Sequence, residues 1–118
     1  EVQDFFAELH VQAERLGLKG FHVDWYDSNG NLGRLSFGQN ALQDRNRDWF
    51  QKESRVVTNM FMLNYNIDTW GGNNDPMGES ARNAVRYGRS SYDVYAGFYL
   101  RGFPVTMRNL ARGKAGKC

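Results

Sequence analysis

Three short apolar runs, centred near Val23, Phe61 and Phe98, recur along the chain, and each closes on aromatic, amide or hydroxyl side chains. Phe21 and Val23 lead into Trp25, Tyr26, Asp27 and Ser28; Phe61-Met62-Leu63 leads into Asn64, Tyr65 and Asn66; Val94-Tyr95-Ala96-Gly97-Phe98 leads into Tyr99. The centres are separated by about the length of a strand, loop, helix and return loop, so one β/α unit is used three times. Alternation of this kind implies parallel strands joined by right-handed helical crossovers. In such sheets the side chains at the carboxyl ends of the strands face the ligand, which places Tyr26 and Asp27 at a candidate site.

The intervening segments supply the helices. Phe5, Phe6, Leu9, Ala13 and Leu16 recur at helical spacing over residues 2–16, and Gly17 is a natural stop. Asn29-Gly30 favours a tight type I′ turn, which predicts a small hairpin over the end of the first strand. From Ala41 the composition turns helical, with Leu42, Trp49 and Phe50 as apolar anchors. Asp75 as N-cap, Pro76 at the first helical position and Glu79 in the first turn mark a further helix start; Met77, Ala81, Ala84 and Val85 form its expected buried stripe, and Gly88 its end. The expected strands cover residues 20–26, 57–64 and 92–100, adjacent in that order and parallel, with a short last helix over residues 105–111. Two α/β architectures accommodate this order, a doubly wound sheet or part of a (β/α)8 TIM barrel. Three strands cannot close a barrel, which takes about 250 residues.

At 118 residues and 41% apolar content the chain suits one domain at most. No apolar run approaches the ~18 residues of a membrane span, so no membrane partner is expected. Position 1 is Glu and the pattern from Val2 is already helical, so the chain is expected to be a piece of a longer protein, with residues 1–118 forming a partial barrel domain. The net charge of +2 is uneven: residues 101–118 hold Arg101, Arg108, Arg112, Lys114 and Lys117 and no acid, leaving ten basic against thirteen acidic residues before them. Five charges without interleaved aromatics are a weak nucleic-acid patch, and no nucleic-acid partner is expected. The lone Cys118 excludes an internal disulfide and leaves a cysteine-based zinc site unsupported.

Several chemistries are missing. Neither G-x-G-x-x-G nor G-x-x-x-x-G-K-[ST] occurs, which weakens a nucleotide-binding doubly wound sheet. His10 and His22 lack metal-ligand spacing, so both are expected to be structural, and no metal or cofactor is expected. Neither Ser28 nor Ser36 has a nucleophile-elbow context. What remains is Tyr26, Asp27, Gln39, Asn40, Asn64, Tyr65, Asn66 and Trp70, a set dominated by neutral amides, hydroxyls and aromatic faces. These suit a neutral polyhydroxylated ligand such as a sugar: amides pair with hydroxyls and rings stack on pyranose faces.

Trp25-Tyr26-Asp27-Ser28, then Gln39-Asn40-Ala41-Leu42 with Asn46 and Phe50, then Leu63-Asn64-Tyr65-Asn66, then Gly88-Arg89 with Asp93-Val94-Tyr95-Ala96-Gly97, together resemble glycoside hydrolase family 85 over roughly residues 2–102. The resemblance implies a segment from the second half of a (β/α)8 barrel of an endo-β-N-acetylglucosaminidase. Such enzymes cleave the β-1,4 bond in the chitobiose core of N-linked glycans, so an N-glycan or glycoprotein substrate and the rest of the barrel are the implied partners. They use the substrate's own 2-acetamido oxygen as nucleophile, forming an oxazoline, with a Glu as acid/base and an Asn two residues before it orienting the acetamide. No Asn-x-Glu occurs in this sequence, so that pair is expected upstream. By the resemblance Tyr26 holds the acetamide and oxazoline, Asn64 and Tyr65 lie near the sugar subsites, and Gln39 and Asn40 lie on the loop beside them. Trp25, Asp27, Trp70 and Tyr99 complete the implied substrate-binding set. Phe37-Gly38 stands where the family has Trp before the Gln-Asn pair, Ile67 where an aromatic follows, and Tyr99 where an acid follows Tyr-Ala-Gly-Phe. A catalytically silent carbohydrate-binding barrel and a small nucleic-acid-binding α/β module are the alternative readings.

Overall fold

The computed structural model describes residues 1–26, 29–34, 41–63 and 75–96; expectations falling on 27–28, 35–40, 64–74 and 97–118 lie outside the described residues. Three parallel strands, β1 (Asp24–Trp25), β4 (Met60–Leu63) and β5 (Val94–Ala96), form one sheet in the order β1-β4-β5. The register pairs Trp25 with Phe61 and Phe61 with Val94. Between β1 and β4 lies an antiparallel hairpin of β2 (Gln51–Lys52) and β3 (Arg55–Val56). Among the described residues two α-helices, α1 (Val2–Arg15) and α2 (Pro76–Arg86), flank the sheet, giving an α/β arrangement with three parallel strands in the expected order.

Both helices stop by the same device. Gly17 and Gly88 take φ of 65° and 82°, and the following residues donate back, Leu18 N to Ala13 O at 2.9 Å and Arg89 N to Ala84 O at 2.9 Å. This satisfies carbonyls that the helix end leaves orphaned. No atom lies within 4 Å of where a Cβ would sit at either glycine, so the left-handed φ, not space, selects it. The start of α2 follows the predicted pattern: Asp75 Oδ1 accepts from Gly78 N at 3.0 Å, with Pro76 at N1.

The buried faces of both helices are rotated from the predicted stripes. Phe5 and Leu16 are exposed, and α1 instead turns Gln3, Phe6, Ala7, His10 and Ala13 inward. Gln3 Nε2 donates to Asn31 O at 3.0 Å and His10 Nε2 to Val57 O at 3.1 Å, so two polar side chains hold places that hydrophobic periodicity skips. Likewise α2 buries Pro76, Ser80 and Ala84, while Val85 is exposed. Ser80 Oγ accepts from Leu42 N at 2.8 Å and donates to Pro76 O.

The helix predicted from Ala41 does not form. Asn46, fully buried, accepts from Gln43 N at 2.7 Å and donates to Ala41 O at 3.0 Å, closing a side-chain turn that competes with helical hydrogen bonds. A single 3₁₀ turn, Arg47–Trp49, follows. The type I′ turn predicted at Asn29-Gly30 is also absent. The chain turns over Gly30–Gly33, with Gly30 N on Arg34 O at 3.0 Å and Gly33 at φ 75°.

All three strands begin later than predicted, at Asp24, Met60 and Val94. Val23 N donates to Asn59 Oδ1 at 2.7 Å and Asn59 N to Val23 O at 2.6 Å, so an asparagine side chain stands in for ladder partners at the start of β1. Val57 and Thr58 lie in the connection between the hairpin and β4, outside the strand expected over residues 57–64. The core lies between sheet and helices: Leu42, Trp49, Phe50, Phe61, Leu63, Ala84 and Val94, with Phe6, Trp25, Met77 and Tyr87 packed against it.

Candidate functional site

Alternation along the strands gives the sheet two unlike faces. Trp25, Phe61, Leu63 and Val94 point to the helices and enter the core. Asp24, Tyr26, Met60, Met62 and Tyr95 lie on the other face, which no described helix covers. Tyr26, at the carboxyl end of β1, keeps 49% of its surface exposed, and Tyr95 keeps 48%. One residue past the Trp25–Phe61 pair, Tyr26 is level with Met62, which pairs with Tyr95. A row of Tyr26, Met62 and Tyr95 therefore runs across the sheet.

Trp25, expected among the substrate contacts, occupies the helix side instead. Its ring stacks on Trp49 with centroids 4.2 Å apart and planes 10° from parallel, and meets Phe6 at 5.7 Å. Strand alternation forces this: Trp25 and Tyr26 cannot share a face. Trp49, only 4% exposed, donates from Nε1 to Gly30 O at 2.9 Å. As an expected helical anchor Trp49 carries no signal of this role, because nothing local in the sequence ties it to the loop after β1.

Asn31 is a second such residue without a local signal in the sequence. Its N and Nδ2 donate to Arg45 O and Asp44 O, both at 2.7 Å, while its Oδ1 accepts from Asp48 N at 3.0 Å. On the far side of residues 35–40, Leu42 is held by Ser80, and its carbonyl accepts from Asn83 Nδ2 at 2.7 Å. Both flanks of the segment carrying Gln39 and Asn40 are thus anchored to packed structure. Gln39 and Asn40 themselves, with Asp27, Asn64, Tyr65, Trp70 and Tyr99, lie outside the described residues.

At the opposite end of the sheet, Arg89 gathers the chain. Its guanidinium donates to Phe50 O at 3.2 Å, Thr58 O at 3.0 Å, Asn59 O at 2.9 Å and Asp93 Oδ2 at 3.1 Å, and lies 4.3 Å from the Phe50 ring centroid. Its five donors in a rigid fork suit this convergence of carbonyls, which fixes the residues just before β4 and β5. Asp4 performs a smaller version outside, accepting from Lys52 at 2.8 Å and Arg55 at 2.6 Å to tie α1 to the hairpin; those two cations hold its carboxyl well below the usual range.

His10 is tied to Val57 O: burial lowers its pKa, against that hydrogen bond, with Arg89 and His22 adding repulsion. Among the described residues no group of three His, Cys, Asp or Glu is placed to hold a metal ion, and no helix is long and apolar enough to cross a membrane. An open cleft of about 370 Å³ lies between residues 43–45 and α2, lined by Asp44, Arg45, Glu79 and Arg86 with two amides. Tyr26 is not part of it. There Asp44 accepts from Tyr87 Oη at 2.7 Å and from Arg86, which together lower its pKa.

No curated protein sequence matches the chain. The sequence profile of glycosyl hydrolase family 85 matches residues 1–109, a span that takes in every described element and the half-exposed tyrosine at the end of β1. This chain therefore belongs to glycosyl hydrolase family 85.

Proposed function

We propose that residues 1–118 form part of the (β/α)8 catalytic barrel of an endo-β-N-acetylglucosaminidase that cleaves the β-1,4 bond in the chitobiose core of N-linked glycans. The observation that carries this reading is Tyr26: a half-exposed phenol at the carboxyl end of a parallel strand, on the sheet face away from the helices, where barrel enzymes bind substrate. The substrate's acetamido oxygen attacks C1 as the bond from C1 to the leaving sugar oxygen breaks and a Glu protonates that oxygen. Water then opens the oxazoline at C1, giving its proton to the same Glu. Tyr26 holds the acetamide through its hydroxyl. Asp27, Gln39, Asn40, Asn64, Tyr65, Trp70 and Tyr99 are proposed to line the sugar subsites, with Trp25 supporting Tyr26 from behind. The sequence contains no Asn-x-Glu, so the acid/base and its orienting Asn belong to another strand of the barrel.

The test is incubation of the full-length polypeptide with a high-mannose glycopeptide and mass analysis of the products. A glycan ending in one N-acetylglucosamine, with the other left on the peptide, is the expected result. An uncleaved glycopeptide, or release of both N-acetylglucosamines together, would overturn the proposal.

A further inference from the structure

Met62 occupies the middle of the row formed by Tyr26, Met62 and Tyr95, on the central strand of the three. Neighbouring strands lie about 4.8 Å apart, and side chains level with each other across parallel strands share a face. Met62 is thus the side chain next to Tyr26 on the exposed face, with the Tyr95 phenol on its far side. Met60, on the same face, is two residues back along the strand, about 6.6 Å deeper into the sheet. Met62 is partly buried and apolar where the flanking residues offer hydroxyls. An amide carrying a methyl group, hydrogen-bonded on one edge by Tyr26, has its methyl edge a few ångströms away, which is the distance to the adjacent strand.

We infer that Met62 is the floor against which the methyl of the participating acetamido group packs, and that it sets the size of the N-acyl group the enzyme accepts. The inference rests on the reading of Tyr26 given above. The unbranched thioether fills the space beside the planar amide without adding a polar atom, and a longer acyl chain has to displace it.

The test uses the full-length polypeptide and two chitobiose-core substrates that differ only in carrying N-acetyl or N-propionyl at the participating sugar. One methylene in an apolar pocket is worth about tenfold or more in kcat/KM, so wild type should prefer N-acetyl by at least that factor. Met62→Ala should bring the two substrates to within about threefold of each other, with the N-propionyl rate rising, while the volume-conserving Met62→Leu keeps the wild-type ratio. A merely structural Met62 would lower both rates together. An unchanged ratio in folded Met62→Ala overturns the inference; should that variant fail to fold, an unchanged ratio in Met62→Val does so. Failure of wild type to cleave the N-acetyl substrate overturns the underlying reading of the site, and this inference with it.

Discussion

The indole of Trp25 lies flat on that of Trp49, centroids 4.2 Å apart and planes within 10°, on the opposite side of β1 from Tyr26. The stack joins the strand that presents Tyr26 to the 3₁₀ turn Arg47–Trp49, and the Trp49 Nε1 bond to Gly30 O joins both to the loop after the strand. A side chain at a strand end is only as well positioned as what packs behind it, and here two large rigid rings do the packing.

Replacing Trp49 separates the parts of that support. Trp49→Phe keeps an aromatic face but leaves Gly30 O without its donor, and should lower stability by about 1–3 kcal/mol. Trp49→Ala also opens a cavity and should cost about 3–5 kcal/mol. Urea titrations of the full-length polypeptide, followed by circular dichroism, should give that order; equal losses would mean that the packing of the ring contributes nothing beyond the hydrogen bond.

Tyr26→Phe removes a hydroxyl and almost no volume from a half-exposed site, so the melting temperature should stay at the wild-type value. A hydrogen bond that matters most in the transition state is worth about 1–3 kcal/mol, which lowers kcat about five- to 150-fold. Steady-state hydrolysis of a high-mannose glycopeptide at matched folded fraction measures this. Equal kcat and KM in the two proteins would remove Tyr26 from the mechanism.

Arg89 should matter for the fold and not for the chemistry, since its contacts lie at the end of the sheet away from Tyr26. With its side chain only 10% exposed, Arg89→Met strands Asp93 and several carbonyls, and should destabilise by about 3–5 kcal/mol. Arg89→Lys keeps the charge but loses the fork, and should recover only part of the loss. Recovery of full stability by Lys would mean that charge alone, without the carbonyl contacts, is what the site requires.

Acid should weaken the protein through His10. Its folded pKa lies below the ordinary value of about 6.5, chiefly through burial, so folding favours the neutral ring. The stability that this contributes is complete above the unfolded pKa and is lost as pH falls through the folded one. Melting temperatures at pH 7.5 and 5 should show a drop in wild type that is smaller in His10→Gln, whose amide can still donate to Val57 O. The same drop in both would assign the acid sensitivity elsewhere.

What the sequence by itself determined was local. The helix ends at Gly17 and Gly88, the cap at Asp75-Pro76 and the three apolar strand runs each rest on a residue's own backbone preference or on period-2 burial, and these need no distant partner. Parallel pairing in the order β1-β4-β5 followed from the alternation of such runs with helices. The tertiary structure decided which face each element turns inward. Gln3, His10 and Ser80 sit in buried or contact positions because carbonyls and amides from distant segments meet them there, and a hydrophobicity pattern carries no record of those partners. It also decided between Trp25 and Tyr26. Adjacent in sequence and both aromatic, they had equal claims on the candidate site, until pairing with Phe61 and packing against Trp49 turned one to the core and left the other on the opposite face of the sheet.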